Sequence, residues 1–412
     1  MKNFGSYFNI KILIKAFVVA LLLSSPIYLI HFGLEDLYLN SLLVAFGFWL
    51  LLGLNAKEAF WSGFFIGLLW FYWIGLSFRY YDLSWMIPFV IFFVALVYGL
   101  LLFGLFFVSQ KFGQFSLLAK ILAIASISYI HPFGFNWFVP EMLLAHTIFH
   151  PQKLYFLLFL AAMGALYLPR QYKLLALALL LCIDYHPQKL PLPNLDIQLV
   201  TTHIPQDKKW LPQYRERIVK DNFHAIKEAI AHKKDLVVLP ESAFPLFLNT
   251  RPGLLERLQN LSHQIAILTG ALYLSEGHYY NSTYLFDQGK VKIFNKVVLV
   301  PFGEEIPLPK PIARWINEHF FGGSSDYTHA SHPATFTIKG YSFTNAICYE
   351  ATHPIIYQTP TPYIIAVSNN AWFLPSIEPT LQWMIIKYYA TIYKKVVFHA
   401  TNYAKTAIIE GR

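Results

Sequence analysis

The sequence predicts a multi-span α-helical membrane domain over residues 1–186, followed by an α/β domain over residues 187–412. Three observations lead there. Of the 412 residues, 56% are hydrophobic and 18% aromatic, a more apolar balance than a soluble domain carries. Of the 55 Lys, Arg, Asp and Glu residues, 16 fall in residues 1–186 and 39 in the remainder. The pattern also changes: long apolar runs give way, after the proline-marked stretch PLPNLDIQLV, to short strand-like segments alternating with helix-like ones.

In the first part, apolar runs over residues 12–31, 37–54, 58–78 and 85–109 are each long enough to cross a hydrocarbon core at ~1.5 Å rise per residue. Shorter runs at 116–130, 153–168 and 172–184 bring the expected number of spans to about seven. The first run, behind MKNFGSYFNIK, has some features of a secretory signal, but further spans follow at once and Lys15 interrupts it, so it reads as an anchor. Basic residues set the orientation. With the amino terminus in the cytoplasm, the inner segments carry Lys2, Lys11, Lys57, Lys111, Arg170 and Lys173, with Lys15 and Lys120 near span ends. The outer loops carry Arg79, Lys153 and Lys189, which places the second part outside the cytoplasm. The aromatic loop HPFGFNWFVPEMLLAHTIFHPQ, residues 131–152, reads as an interfacial belt or as the wall of a lipid inlet.

The net charge of +9 is scattered, without a basic run or a reading motif, which excludes a nucleic-acid partner and favours an anionic membrane surface. Two cysteines 166 positions apart exclude a disulfide framework. Cys182, inside LALALLLCIDY, reads as a small buried or lipid-facing hydrophobe.

The second part offers the strand candidates IQLV, LVVLP, AILTGALY, YLFDQGKVKIF, FTNAIC, YIIAVSN and VVFHATN. Helix candidates cover 211–232, 251–262, 309–319 and 378–393. Continuous apolar strands alternating with helices indicate an α/β domain with covered sheets, in which reactive residues gather past the carboxyl ends of strands. Three residues stand at such places: Glu241 after DLVVLP, Lys296 after VKIFN and Cys348 after FTNAI. Singly, each has a structural reading too, as a capping acid, a surface lysine and a packed thiol. Together they form a chemical set. A cysteine attacks only as its thiolate, so Glu241 would take the thiol proton while Lys296, with a backbone N–H beside Cys348, would stabilise the thiolate and then an oxyanion. That is acyl transfer through a thioester.

The motifs around these residues are HIPQDKKW (203–210), LPESAFP (239–245), YYNSTYLFDQGKVKIFNKVVLVPFGEEIP (279–307), ICYE (347–350) and SNNAWF (368–373). On them, residues 196–410 resemble the carbon–nitrogen hydrolase (nitrilase) superfamily, and the whole chain resembles the apolipoprotein N-acyltransferase family. The resemblance implies an αββα sandwich on the periplasmic side of a bacterial inner membrane. It implies Glu241 as general base, Lys296 as oxyanion stabiliser and Cys348 as the acylated nucleophile. Glu304, Tyr349, Glu350 and Asn369 match supporting positions, and Trp210 matches the tryptophan of a mobile lid. The donor implied is a phospholipid, typically phosphatidylethanolamine, and the acceptor is the α-amine of an S-diacylglyceryl cysteine at a lipoprotein's amino terminus. No metal or dissociable cofactor is implied.

Physical chemistry agrees with a membrane setting. At ~0.8 kcal/mol per CH₂, drawing an acyl chain of roughly sixteen carbons into water would cost on the order of 12 kcal/mol. A thiolate held just above the leaflet avoids that cost. The sequence departs from the family at Ser368-Asn369-Asn370, where Ser-Asn-Asp is usual, at Leu381-Gln382, where a Gln-His pair is usual, and at Thr401-Asn402-Tyr403-Ala404, where a glycine usually follows Thr-Asn-Asn. It also ends at TAIIEGR, short of the family's final membrane helix. Two alternatives follow: a membrane-tethered amidase or hydrolase in which water resolves the thioester, and a catalytically decayed membrane scaffold.

Overall fold

The computed structural model describes residues 9–187, 189–320 and 326–411; Lys2, Arg412 and the MKNFGSYF start of the signal-like stretch lie outside the described residues. The chain divides into two compact units, Met1–Pro187 with Phe373–Tyr388, and Gln188–Trp372 with Tyr389–Arg412. The first unit therefore takes in a late segment as well as the apolar half.

The first unit contains α1 (Ile10–His31), α2 (Leu37–Leu52), α3 (Ala56–Phe71), α4 (Ile87–Gln110), α5 (Ser116–Ser126) and α6 (Lys153–Ala165). Three helical stretches, Ile10–His31, Ala56–Tyr81 and Ser84–Gln110, are long and apolar enough to cross a membrane. Three shorter apolar ones cover Leu37–Leu52, Gly113–Tyr129 and Lys153–Ala165. The run expected at 172–184 forms a 3₁₀ helix, Arg170–Cys182, whose steeper rise of ~2.0 Å per residue stretches it over about 26 Å. Helix starts follow local chemistry: Asn9, Asp36 and Asn55 cap α1, α2 and α3 with their side chains, and Asn55 forms a capping box with Glu58. Glu58 also pairs with Lys15 at 3.0 Å, so the charges that interrupt the first apolar run and open α3 neutralise each other.

Most of residues 131–152 turn inward, while His131, Phe133, Gly134 and Gln152 stay exposed. Trp137, Phe138, Val139 and residues 140–147 are buried, with the Phe138 ring edge-on to Trp70 and Tyr98. The one carboxylate of this segment is carried inward with partners. Glu141 is 1% exposed, and its carboxylate receives the Lys153 ammonium, the Ser128 hydroxyl at 2.7 Å and the Tyr388 hydroxyl at 3.3 Å. A carboxylate away from water persists only inside such a partnered cluster. Tyr388 belongs to the late segment, which the first unit also holds through a Trp73–Phe373 ring contact and a bond from the Ile377 N–H to the Tyr72 hydroxyl. Cys182 is fully buried, with its sulfur 3.6 Å from the Tyr155 carbonyl oxygen.

The elements from residue 197 onward are β1 (Ile197–Leu199), α7 (Gln206–Lys209), α8 (Pro212–Ala231), β2 (Leu236–Val238), β3 (Phe244–Phe247), α9 (Pro252–Leu261), β4 (Ala266–Ser275), β5 (His278–Asp287), β6 (Lys290–Asn295), α10 (Lys310–Phe320), β7 (Thr335–Ile338), β8 (Tyr341–Ile347), α11 (Pro354–Tyr357), β9 (Tyr363–Asn369), α12 (Glu378–Tyr393), β10 (Val396–Asn402) and β11 (Ala407–Glu410). They build two sheets. One runs β1-β2-β4-β5-β6 with β3 also paired to β4; the other runs β11-β10-β9-β8-β7. Strands β1, β2 and β4 are parallel, as are β8, β9 and β10, and antiparallel strands close the edges at β6, β7 and β11.

Strand alternation divides the side chains between faces. Leu236, Val238 and Leu268 of the first sheet share one core with Phe343, Ile365 and Phe398 of the second. On the outer face of the first sheet, Phe223 and Ile226 of α8 and Leu258 of α9 pack on Val237, Ile267 and Tyr284. Ile364, Ala366 and Val397 face away from the shared core and are buried too, with α11 against β8. The layering is the αββα sandwich. One strand candidate resolves differently: YLFDQGKVKIF is the β5–β6 hairpin, turning at Gln288 and Gly289, both at positive φ as a tight two-residue turn requires.

Candidate active site

Glu241, Lys296 and Cys348 each lie just past a strand of the sandwich, and the fold brings them together. Glu241 follows β2 through Leu239-Pro240 and is 8% exposed. Its backbone rests on Gly270 of β4: a Cβ there would sit 2.7 Å from the Glu241 Cα and 2.4 Å from the Ser242 nitrogen. Lys296 is the first residue past β6 and is fully buried, with Nζ 2.7 Å from Glu304 Oε2. Cys348 is the first residue past β8, partly buried, at φ 55°. That left-handed geometry, unusual for a residue with a Cβ, turns the chain sharply from strand into the 3₁₀ turn Cys348–Thr352.

One amide ties the two carboxylates together. Asn281 of β5 donates from Nδ2 to Glu241 Oε1 at 2.7 Å and to Glu304 Oε1 at 2.9 Å. Glu304 Oε2 also accepts the Val300 N–H at 2.9 Å. Burial alone pulls the Lys296 pKa down. The charges of Glu304, Glu241 and Cys348 outweigh it and hold the ammonium above the ordinary lysine value. The lysine is therefore a fixed positive charge.

Glu350 clamps the backbone on both sides of the site. One oxygen accepts the Ile347 N–H at 2.7 Å, immediately before Cys348; the other accepts the Val297 N–H at 2.7 Å and the Val298 N–H at 3.3 Å, immediately after Lys296. Burial pushes its pKa up to about 7, against the lowering effects of those N–H groups and of Lys296. Tyr349 is buried, 3% exposed. Trp210 follows α7 as its carboxyl-terminal cap and is 36% exposed. Asn369, the last residue of β9, donates to Gln206 Oε1 of α7 at 2.8 Å and accepts from Asn402 Nδ2 at 2.7 Å.

Sequence reasoning did not single out Asn281, Gln206, Asn402 or Lys209. Lys209 is 1% exposed and donates from Nζ to the Glu241 main-chain oxygen at 2.9 Å. Both HIPQDKKW and YYNSTY are prominent stretches, but Lys208-Lys209 looks like a solvated pair, and Asn281 gains meaning only from carboxylates that folding brings to it. The assembled group holds an ionisable thiol, a carboxylate and a buried cation, which is what nucleophilic acyl chemistry needs.

The model of the apolipoprotein N-acyltransferase integral membrane domain matches residues 10–185. Over 394 residues the chain is 41% identical to the apolipoprotein N-acyltransferase of Wolinella succinogenes, covering 95% of this chain and 94% of that one. The corresponding protein of Helicobacter pylori is 37% identical over 96% of this chain and 95% of its own. Among solved structures, a CN-hydrolase superfamily protein from Xanthomonas campestris covers 51% of this chain and 77% of its own, at 15% identity and a TM-score of 0.38. An amidase from Nesterenkonia sp. covers 54% and 82%, at 14% identity and a TM-score of 0.38. The fold is that of an integral-membrane protein with an αββα sandwich domain. The chain belongs to the apolipoprotein N-acyltransferase family.

Proposed function

We propose that this protein moves a fatty acyl chain from a membrane phospholipid, with phosphatidylethanolamine as the expected donor, to the α-amine of the S-diacylglyceryl cysteine that begins a lipoprotein. The observation that carries this reading is the convergence of Glu241, the Lys296–Glu304 pair and Cys348 in a chain that also has long apolar helices. The basic residues around those helices favour a catalytic unit on the periplasmic side of a bacterial inner membrane.

In the first half-reaction, Glu241 takes the Cys348 thiol proton and the thiolate adds to the ester carbonyl carbon. The tetrahedral oxyanion faces the Lys296 ammonium. As it collapses, the C–O bond to the glycerol breaks and the leaving alkoxide receives the proton from Glu241, giving a lysophospholipid and a Cys348 thioester. In the second, the lipoprotein amine adds to the thioester and gives a proton to Glu241; the C–S bond breaks and the amide leaves. The thiolate then recovers its proton from Glu241. Glu304 keeps Lys296 charged throughout, and Glu350 keeps the two reacting segments in register. Trp210, exposed at the end of α7, is the lid, and Tyr349 and Asn369 support the nucleophile and α7.

Intact-protein mass spectrometry with phosphatidylethanolamine tests this directly. The expected result is an added fatty-acyl mass on the wild type, absent from Cys348→Ala, that disappears when a diacylglyceryl-cysteine peptide is supplied and reappears on the peptide. Loss of the adduct to water without peptide acylation would instead make the protein a membrane-tethered hydrolase. No adduct on folded protein would leave it a scaffold.

A further inference from the structure

We propose that Lys209 is a positioning residue of the active site, a second buried cation that fixes the Glu241 backbone and biases Cys348 toward its thiolate. The proposal rests on the reading of Cys348 as nucleophile and adds a residue to it.

Lys209 lies at the end of α7, and its ammonium is buried. A buried lysine normally has a carboxylate partner, as Lys296 has in Glu304. Among the described residues Lys209 makes no ion pair; its hydrogen bond goes to the Glu241 main-chain oxygen, at 2.9 Å. The titratable groups that face it are the Glu241 carboxylate and the Cys348 thiol, while Lys296, which faces the same two groups, is already paired with Glu304. Burial lowers the Lys209 pKa, and Glu241 and then Cys348 offset part of that, leaving it at about 8. Without an ion pair of its own among the described residues, the charge has the site's ionised forms as its compensation, so it favours a thiolate over a thiol.

The position of α7 is itself secured. Asn402, at the end of β10, accepts the Ile204 N–H at 2.9 Å and donates to the Ile204 carbonyl oxygen at 2.9 Å and to Asn369 Oδ1 at 2.7 Å; Asn369 then donates to Gln206 Oε1 at 2.8 Å. This amide chain holds the segment that carries Lys209 and leads into Trp210.

The test is the rate of Cys348 alkylation by iodoacetamide between about pH 6 and pH 9 in the full-length, detergent-solubilised protein, with the modified cysteine assigned by mass. Removing one nearby cation raises a thiol pKa by roughly one unit or more, so Lys209→Gln, which keeps a donor for the Glu241 oxygen, should alkylate about tenfold more slowly at pH 7. Lys209→Arg should restore the rate. An alkylation profile for a stably folded Lys209→Gln that superimposes on the wild type overturns the proposal, as does a slow Lys209→Arg of normal thermal stability. If Lys209→Gln does not accumulate folded, Lys209→Met takes its place in the same comparison, with a slowed profile supporting the proposal and a superimposed one overturning it. Alkylation reports the thiolate alone, so normal profiles with no acyl transfer would refute the function proposed above and leave this inference standing.

Discussion

Glu350 shows how one side chain carries opposite demands. Ionised, it accepts three backbone N–H groups and ties the segment after Lys296 to the residue before Cys348. Buried, it prefers the proton, and its pKa rises from the ordinary 4.5 to about 7. The native state therefore binds more protons than the unfolded state across that window. This group's contribution to stability is fully present below about 4.5 and is lost as pH rises through about 7. Activity should run the other way, because a protonated carboxyl puts an O–H where an N–H needs an acceptor. Between pH 7 and pH 5.5 the thioester yield should fall while the Glu350 contribution to the unfolding temperature rises, measured on one preparation against Glu350→Gln. The Gln variant should show little of either trend and a large loss of thioester at every pH. Glu304→Gln tests the neighbouring pair. With Lys296 buried and its ion pair broken, destabilisation of about 3–5 kcal/mol is expected by thermal unfolding. Thioester formation should drop by roughly a hundredfold as the cation loses its fixed position.

Elements matter here mainly through their ends. Strand β8 delivers Cys348, β6 delivers Lys296, and β2 delivers Glu241, each at a carboxyl end of the sandwich where the backbone leaves the ladder. The β4 strand contributes without any reactive group. A Cβ on Gly270 would meet three backbone atoms, the Ser242 nitrogen at 2.4 Å, the Glu241 Cα at 2.7 Å and the Pro240 oxygen at 2.8 Å. None of these can swing aside as a side-chain tip would. Gly270→Ala should displace Glu241 by a few tenths of an ångström or more and slow acyl transfer by roughly ten- to a hundredfold. The protein should still fold, which circular dichroism and a melting curve would check; an unchanged rate would mean that the strand yields instead. Legibility also differed by element. Long strands and helices could be read from periodicity, and the three-residue β1 and β2 from the continuous apolar runs around them, whereas β3, β7, β11, α7 and α11, each four residues long, carry neither signal. Yet α7 is one of the pieces the site depends on.

For the whole molecule, composition places a boundary near residue 187, and Phe373–Tyr388 nevertheless belongs to the first unit. Ile377, Leu381, Met384 and Ile385 are buried, and within that unit Tyr388 reaches Glu141 while the Ile377 N–H reaches Tyr72. A fragment starting at Leu190 would leave this segment without those partners. It should be insoluble or aggregated when expressed without detergent, and a monodisperse, well-folded fragment by light scattering would show that the segment needs no such support. The pair between buried Glu141 and Lys153 had no counterpart in the sequence reading, which saw in residues 131–152 an aromatic belt or the wall of a lipid inlet. Aromatic content alone does not say which way a loop turns; a carboxylate whose partners come from α6 and from the late segment does.

The amino-acid sequence by itself determined the apolar first half, the α/β second half, the family resemblance and the strand-end positions of Glu241, Lys296 and Cys348, because hydrophobic period and local motif are properties of neighbours along the chain. Tertiary structure alone decided that Asn281 bridges two carboxylates, that Glu350 grips the segments carrying Lys296 and Cys348, and that Lys209 is buried against the Glu241 main-chain oxygen. Apart from Ile347 and Glu350, those partners lie tens of residues apart, and burial and electrostatic compensation exist only once the sheets have packed.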